Sequence, residues 1–311
     1  MKLPLVALSA LLSLLNGDGA FAWSKPGHMI TAAIAYRELA TQEPKIVEQI
    51  VALMAQHPDR GAFAVAAGGA TGAERDQRIL LQMARWPDDA RGGQHDHPTW
   101  HYSSRSLIDP AMPASQRPAE AVRGSAAEAF ALNYSVAADP RASNAERAVA
   151  LCWLFHLVGD IHQPLHSSDW VSARFPDGDR GGNLQFVRDP ASREAVNLHW
   201  FWDERVAGSD DPTQTLRRAD ELLRRLPRSQ FKSPPLAAAE EFAAWGKESY
   251  QVATQVAYGP ELLASDSAAT AQEQKPAYIS AATDAAERRM VQAGYRIADL
   301  LRRIFSAARK S

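Results

Sequence analysis

Apolar residues recur at helical spacing, roughly every third or fourth position, through Met29–Leu39, Ile46–Met54, Ile79–Trp86, Ala126–Val136, Ala148–Val158, Leu216–Leu226, Leu236–Val256 and Ala281–Phe305. Eight such stretches with little strand patterning between them predict an all-α fold. Pro44 separates the first two, and Ser143-Asn-Ala-Glu146 has the capping-box spacing that starts the helix leading to His156. One segment breaks the pattern. Gly178, Gly181 and Gly182 precede Leu184-Gln-Phe-Val187, Asp189-Pro190 turns the chain, and Ala195-Val196 follows, which predicts a small β-hairpin on a glycine-rich loop. Arg60 to Gly72, rich in Ala and Gly, is expected to be a mobile loop, and Pro110, Pro113 and Pro118 mark a second irregular stretch. No internal repeat and no domain boundary is visible, so residues 23–311 are expected to form one domain.

The opening residues follow a different logic. Lys2, the apolar run Leu3 to Leu15 and the small-x-small triplet Ala20-Phe21-Ala22 have the three parts of a signal peptide covering residues 1–22. A membrane anchor needs about 20 apolar residues, and this run stops near Asn16. The mature chain is therefore expected to begin at Trp23, without a membrane anchor, in the periplasm or outside the cell. No stable protein partner is implied. Cys152 is the one cysteine and sits in an apolar helical pattern, which predicts a buried, inert thiol and no disulfide. Asn133-Tyr-Ser135 is a glycosylation triplet of a kind that arises easily by chance.

Composition narrows the function less than the spacing of a few residues does. With 46% apolar and 23% charged residues the chain is an ordinary globular protein, and its net charge of −2 offers no basic field for nucleic acid. Charge for an anionic substrate must then be local. His156 and Asp160 are four apart in a predicted helix and face one side; His199 and Asp203 repeat that spacing. His166 follows Pro164, which bends the chain and brings an imidazole from another direction. One His-x-x-x-Asp pair alone is more often a salt bridge or cap. Two pairs with a further histidine, mixing imidazole and carboxylate without thiolate, point to Zn²⁺ or another divalent ion in a hydrolytic site.

Six segments in order carry a resemblance: Trp23-Ser-Lys-Pro-Gly-His28; Trp86-Pro-Asp88 with Arg91; Trp100-His-Tyr102; His156-Leu-Val-Gly-Asp160-Ile-His-Gln-Pro-Leu-His166; Gly181-Gly-Asn183; and Asn197-Leu-His199 with Asp203. The chain thus resembles the S1/P1 nucleases, relatives of the zinc-dependent phospholipases C. The resemblance spans roughly Trp23 to Asp203; beyond it only the helical character matches. It implies a single helical domain of the phospholipase C/P1 nuclease type with three Zn²⁺ per chain. Trp23, through its free α-amine and carbonyl, would share one ion with His28 and Asp160. Asp88, His101, His156 and the other oxygen of Asp160 would hold a second, and His166, His199 and Asp203 a third. Cleavage after Ala22 would liberate the required amine.

The implied reaction is hydrolysis of single-stranded DNA or RNA to 5′-phosphorylated products, with 3′-nucleotidase activity as a further expectation. Asp88 would position the attacking water and Arg91 would stabilise phosphate charge, while Tyr102 would stack a base and Asn183 would bond to substrate. Ser103 and Ser104 follow Tyr102 where family nucleases tend to place a carboxylate, which leaves base preference open. A zinc-dependent phospholipase C and a non-catalytic periplasmic zinc-binding protein are the competing readings. His57, His95, His97 and His162 lie outside the matching positions and are expected at the surface or behind the ligands, with His97, four before His101, the ambiguous one. Asp89 is a lesser rival to Asp88. The C-terminal helix, with Arg288, Arg289, Arg296, Arg302 and Arg303 beside Met290, Ile297, Leu301 and Ile304, is either a membrane-surface helix or a cap on the core.

Overall fold

In a computed structural model that describes residues 23–206, 208–231 and 237–307, the apolar stretches all become helices. They are α1 (Lys25–Gln42), α2 (Pro44–Met54), α4 (Gly72–Asp89), α5 (Ala126–Ala138), α6 (Asn144–Ile161), α8 (Pro212–Arg225), α9 (Ala238–Val252) and α10 (Pro276–Ala307), joined by the shorter α3 (Arg60–Ala67) and α7 (Leu198–Asp203). The predicted signal segment lies outside the described residues. Among these residues no helix is long and apolar enough to cross a membrane.

The centre of the fold is α6. Every residue from Leu151 to Ile161 is buried, so this helix is surrounded rather than one-sided. Its start is fixed as its sequence requires: the Ser143 hydroxyl accepts from the Glu146 amide while the Glu146 carboxylate accepts from the Ser143 amide. Around it pack α1, α2, α4, α5 and α9, and α10 lies along α1. Gly294 permits that approach, since a Cβ there would come within 2.5 Å of Ile34.

The hairpin is where the alternation placed it. β4 (Phe186–Arg188) pairs antiparallel with β5 (Ala195–Asn197), Phe186 opposite Asn197. Two other expectations are corrected. Residues 60–67 form α3 rather than a loop; its alanines favour a helix, and Gly68 closes it in the left-handed conformation at φ 57°. A three-stranded sheet was also missed. β1 (Ser104–Ile108) lies between β2 (Val122–Arg123) and the parallel β3 (Ser168–Val171). Its polar, short strands carry no alternation, and the parallel partner is some sixty positions away, so nothing local announces it. The glycosylation triplet is excluded as an accessible acceptor: Asn133 is buried inside α5 and donates to the Ala129 carbonyl at 2.8 Å. Cys152 is buried, as expected, and burial pushes its thiol well above the usual range.

Candidate metal centre

Six of the expected ligands come from helices whose geometry presents them inward. His28 lies on the first turns of α1, Asp88 at the end of α4, His156 and Asp160 one turn apart on α6, and His199 and Asp203 one turn apart on α7. Two short 3₁₀ turns that begin with proline, Pro98–His101 and Pro164–His166, deliver His101 and His166 as their last residues. Side chains so far apart in sequence converge in three buried groups: His28 with Asp88 and His156; His101 with His156 and Asp160; and His166 with His199 and Asp203. Asp89 points away, paired with Lys25 at 2.7 Å and with Arg85. Asp88, not Asp89, thus joins the buried groups.

Asp160 is central. Its Oδ1 lies 3.2 Å from His28 Nε2 and its Oδ2 3.2 Å from His101 Nδ1 and 3.3 Å from His156 Nε2. Trp23 is fully buried and its indole donates to the Gly159 carbonyl at 3.0 Å, which ties the first described residue to the neighbour of Asp160. Glycine at 159 is required by packing, because a Cβ would stand 2.8 Å from His28 Nδ1. Gly181, in the left-handed region at φ 61°, is required twice, since a Cβ would also meet the Leu165 carbonyl at 2.5 Å.

Whether these groups suit a cation follows from their protons. His156 Nδ1 faces the Ala84 carbonyl at 2.8 Å, His199 Nδ1 the Gly181 carbonyl at 2.7 Å, and His166 Nδ1 the His101 carbonyl. A carbonyl only accepts, so each Nδ1 carries the proton and each Nε2 of the neutral ring is a lone pair. His166 Nε2 and His199 Nε2 nevertheless stand 3.0 Å apart. Two lone pairs at that distance repel; a proton between them would create a buried imidazolium, and a divalent ion satisfies both. Both nitrogens of His28, Nε2 of His101 and Oδ1 of Asp160 are buried without a hydrogen-bond partner. Burial holds His28 and His101 well below the usual imidazole range, and burial with the nearby Asp88 charge pushes the Asp160 carboxyl well above its own. Asp203 is raised likewise by burial, although Gln163 donates to its Oδ1 at 2.8 Å. Neutral imidazoles and carboxylates that need a counter-charge make a donor set that fits Zn²⁺.

The surroundings hold these ligands in place. Arg91 donates to Asp88 Oδ1 through Nε at 3.1 Å and Nη2 at 2.8 Å. The Gly181 loop is anchored by buried Asp179, which accepts from the Trp170 amide, Gln185 and Tyr258 and is pushed up to about 6 by burial. Asn183 spends its amide on the Arg180 carbonyl, within the same loop. Tyr102 is half-buried beside His101, its ring on Gly124.

The histidines outside the set divide. His97 stacks on Trp100 with ring centroids 3.8 Å apart and joins none of the three groups. His57 and His162 are fully buried, which rules out the surface among the two places expected for them. The Asp59 amide donates to His57, and His162 lies between the Val158 carbonyl and Arg296. The His162 ring closes the end of α6, a use of histidine that sequence spacing does not reveal.

Residues 23–306 match the S1/P1 nuclease family along nearly the whole described chain. The chain belongs to that family. It is also similar to Endonuclease 3 of Arabidopsis thaliana, 30% identical over 174 residues that cover 52% of this chain and 53% of that protein. A shorter match, 43% over 60 residues, links it to Endonuclease 4 of the same plant, covering 19% of this chain and 17% of that protein. The matches thus reach at most about half the length of these curated relatives. Membership in the S1/P1 nucleases makes zinc the natural ion for the three buried groups.

Proposed function

We propose that this S1/P1 nuclease family member is a zinc-dependent phosphodiesterase that hydrolyses single-stranded DNA or RNA to 5′-phosphorylated products, with accompanying 3′-nucleotidase activity. The observation that carries the reading is the convergence of imidazoles and carboxylates from distant elements in three buried groups, with both nitrogens of His28, Nε2 of His101 and Oδ1 of Asp160 lacking a hydrogen-bond partner. Three zinc ions per chain account for all of the converging donors: Trp23, His28 and Asp160 for one; Asp88, His101, His156 and Asp160 for another; His166, His199 and Asp203 for the third. Divalent zinc there supplies Lewis acidity toward phosphate oxygens and makes water acidic enough to attack near neutral pH. Asp88 is the residue placed to orient that water, its carboxylate held by Arg91. Arg91, part-exposed beside a buried anion, offers a guanidinium to a non-bridging phosphate oxygen. Tyr102 offers a ring next to His101, and Asn183 shapes the loop beside His199. Export after Ala22, to the periplasm or outside the cell, fits the need for a free Trp23 amine.

The test uses the chain beginning at Trp23, incubated with single-stranded DNA, single-stranded RNA, duplex DNA and phosphatidylcholine vesicles. Nucleotides bearing 5′-phosphate from single strands, abolished by chelation and restored by zinc, are the expected result. Hydrolysis of the lipid alone, or none of any substrate by the zinc-loaded chain, would refute the proposal.

A further inference from the structure

Trp200 is the one large aromatic side chain that stays well exposed among the described residues, at 48%, although the neighbouring Phe201 and Trp202 are fully buried. An indole left in water forfeits about 2 kcal/mol of burial, and what gives this one meaning is its place beside the candidate ligands. It follows His199 directly on α7. At about 100° per residue, Trp200 projects about 60° round the helix from Asp203, so it borders the face that carries the two ligands. The backbone beneath it is fixed: the Asn197 side chain accepts from the Trp200 amide at 2.7 Å, capping the helix, and the Trp200 carbonyl accepts from the Glu204 amide.

The adjoining loop has matching chemistry. The Gly182 carbonyl accepts from the His199 amide and the Gln185 carbonyl accepts from the Leu198 amide at 2.7 Å, so residues 182–185 run alongside the start of α7. Leu184, on that loop, is the other exposed large apolar residue in this part of the fold, while Val65, Val122 and Leu132 belong to other elements. An exposed aromatic ring on the residue after His199, with an exposed aliphatic residue on the adjoining loop, offers what a nucleobase attached to a nearby phosphate needs: a π-face and apolar surface.

We propose that Trp200 is a stacking platform for a base of single-stranded nucleic acid, one nucleotide or so removed from the scissile phosphate. The inference rests on the nuclease reading above and names a specificity residue within it. Stacking on one platform is worth a factor of about ten or more in affinity when lost to alanine.

The experiment compares wild type, Trp200→Ala and Trp200→Phe, each beginning at Trp23 and loaded with zinc. KM and kcat are measured on a short single-stranded oligonucleotide and on a small phosphodiester that carries no base. In parallel, quenching of intrinsic fluorescence is followed on titration with a hydrolysis-resistant phosphorothioate oligonucleotide. Trp200→Ala should raise the oligonucleotide KM about tenfold with kcat within about twofold, leave the base-free diester and zinc content unchanged, and abolish most of the quenching; Trp200→Phe should recover most of the KM. An unchanged oligonucleotide KM in Trp200→Ala would overturn the proposal, as would equal losses on both substrates. If the wild type cleaved no nucleic acid, the nuclease reading would fall. The quenching titration would still judge Trp200, and absence of Trp200-dependent quenching would then refute it.

Discussion

The molecule buries two clusters of ionisable side chains, and they are built on opposite principles. At the end of α6 nearest α9 and α10, Arg289 and Arg296 are buried with partners inside the protein: Glu248 accepts from both at 2.5 to 2.8 Å, Arg289 also donates to Ser249 and the Trp245 carbonyl, and Arg296 donates to His162. Burial would raise Glu248, yet the two guanidiniums hold it below its usual range, and Arg289 is lowered only to about 10. At the other cluster, carboxyls of Asp160 and Asp203 are raised and imidazoles of His28 and His101 lowered, with lone pairs facing lone pairs. A protein does not retain the second arrangement for its own stability. The first cluster is partnered within the protein, and the second has the donor chemistry of a cation site. The same network decides the character of α10, whose arginines pair inward and with Glu43, Asp299 and Glu241, as a cap on the core rather than a membrane-surface helix.

The sharpest division between the clusters comes from removing one carboxylate from each. Asp160→Asn should cut activity by more than about 1,000-fold and lower zinc content, because one side chain serves two ligand groups. Near-normal turnover in that variant would remove Asp160 from the centre. Chelation is the next largest effect. A histidine whose folded pKa is lowered binds fewer protons folded than unfolded, so stripped protein loses stability as pH falls below the ordinary 6.5. A carboxyl whose folded pKa is raised loses stability as pH climbs above the ordinary 3.8. Stripped protein is therefore destabilised from both sides, and zinc at a thousand times its Kd should restore about 4 kcal/mol for each site. Calorimetry with and without chelator should show the largest gap in Tm near neutral pH, closing in acid as protons displace the metal; equal Tm values throughout would contradict this.

Glu248→Ala belongs to the other side. It should lower stability by about 2 kcal/mol, discounted because Glu248 is 39% exposed, with zinc content and the chelator response intact. Zinc lost in parallel would join the two clusters into one unit. Smallest is Ser143→Ala, which removes the α6 cap at about 1 kcal/mol and should leave activity per folded molecule unchanged by kinetic assay.

The same contrast explains what could be read from sequence. Ligands on one helix announce themselves: His156 with Asp160 and His199 with Asp203 need only the four-residue repeat, and the proline before His166 marks a change of direction. The helices were legible for the same reason, since α2, α8 and α10 alternate apolar and polar faces. What was not legible depends on distant partners. The β1–β3 pairing joins polar strands far apart, α3 is a helix that alanine favours and tertiary packing stabilises, and the burial of His57 and His162 depends on packing, with His162 meeting Arg296 from α10. Arg289 and Arg296 look like surface charge until Glu248, from another helix, comes beside them. Trp200 escaped notice because exposure, not residue type, makes it unusual.

The central claim is that the buried His and Asp groups hold zinc together with the free amine of Trp23, and elemental analysis tests it on the chain with and without an N-terminal extension. Protein that begins at Trp23 should contain about three zinc ions per chain and cleave single-stranded DNA. The same protein carrying residues ahead of Trp23 should lose part of one zinc and most of its activity, and recover both when a protease removes them. One zinc or none in active protein, or identical zinc and activity in the two forms, would contradict the account.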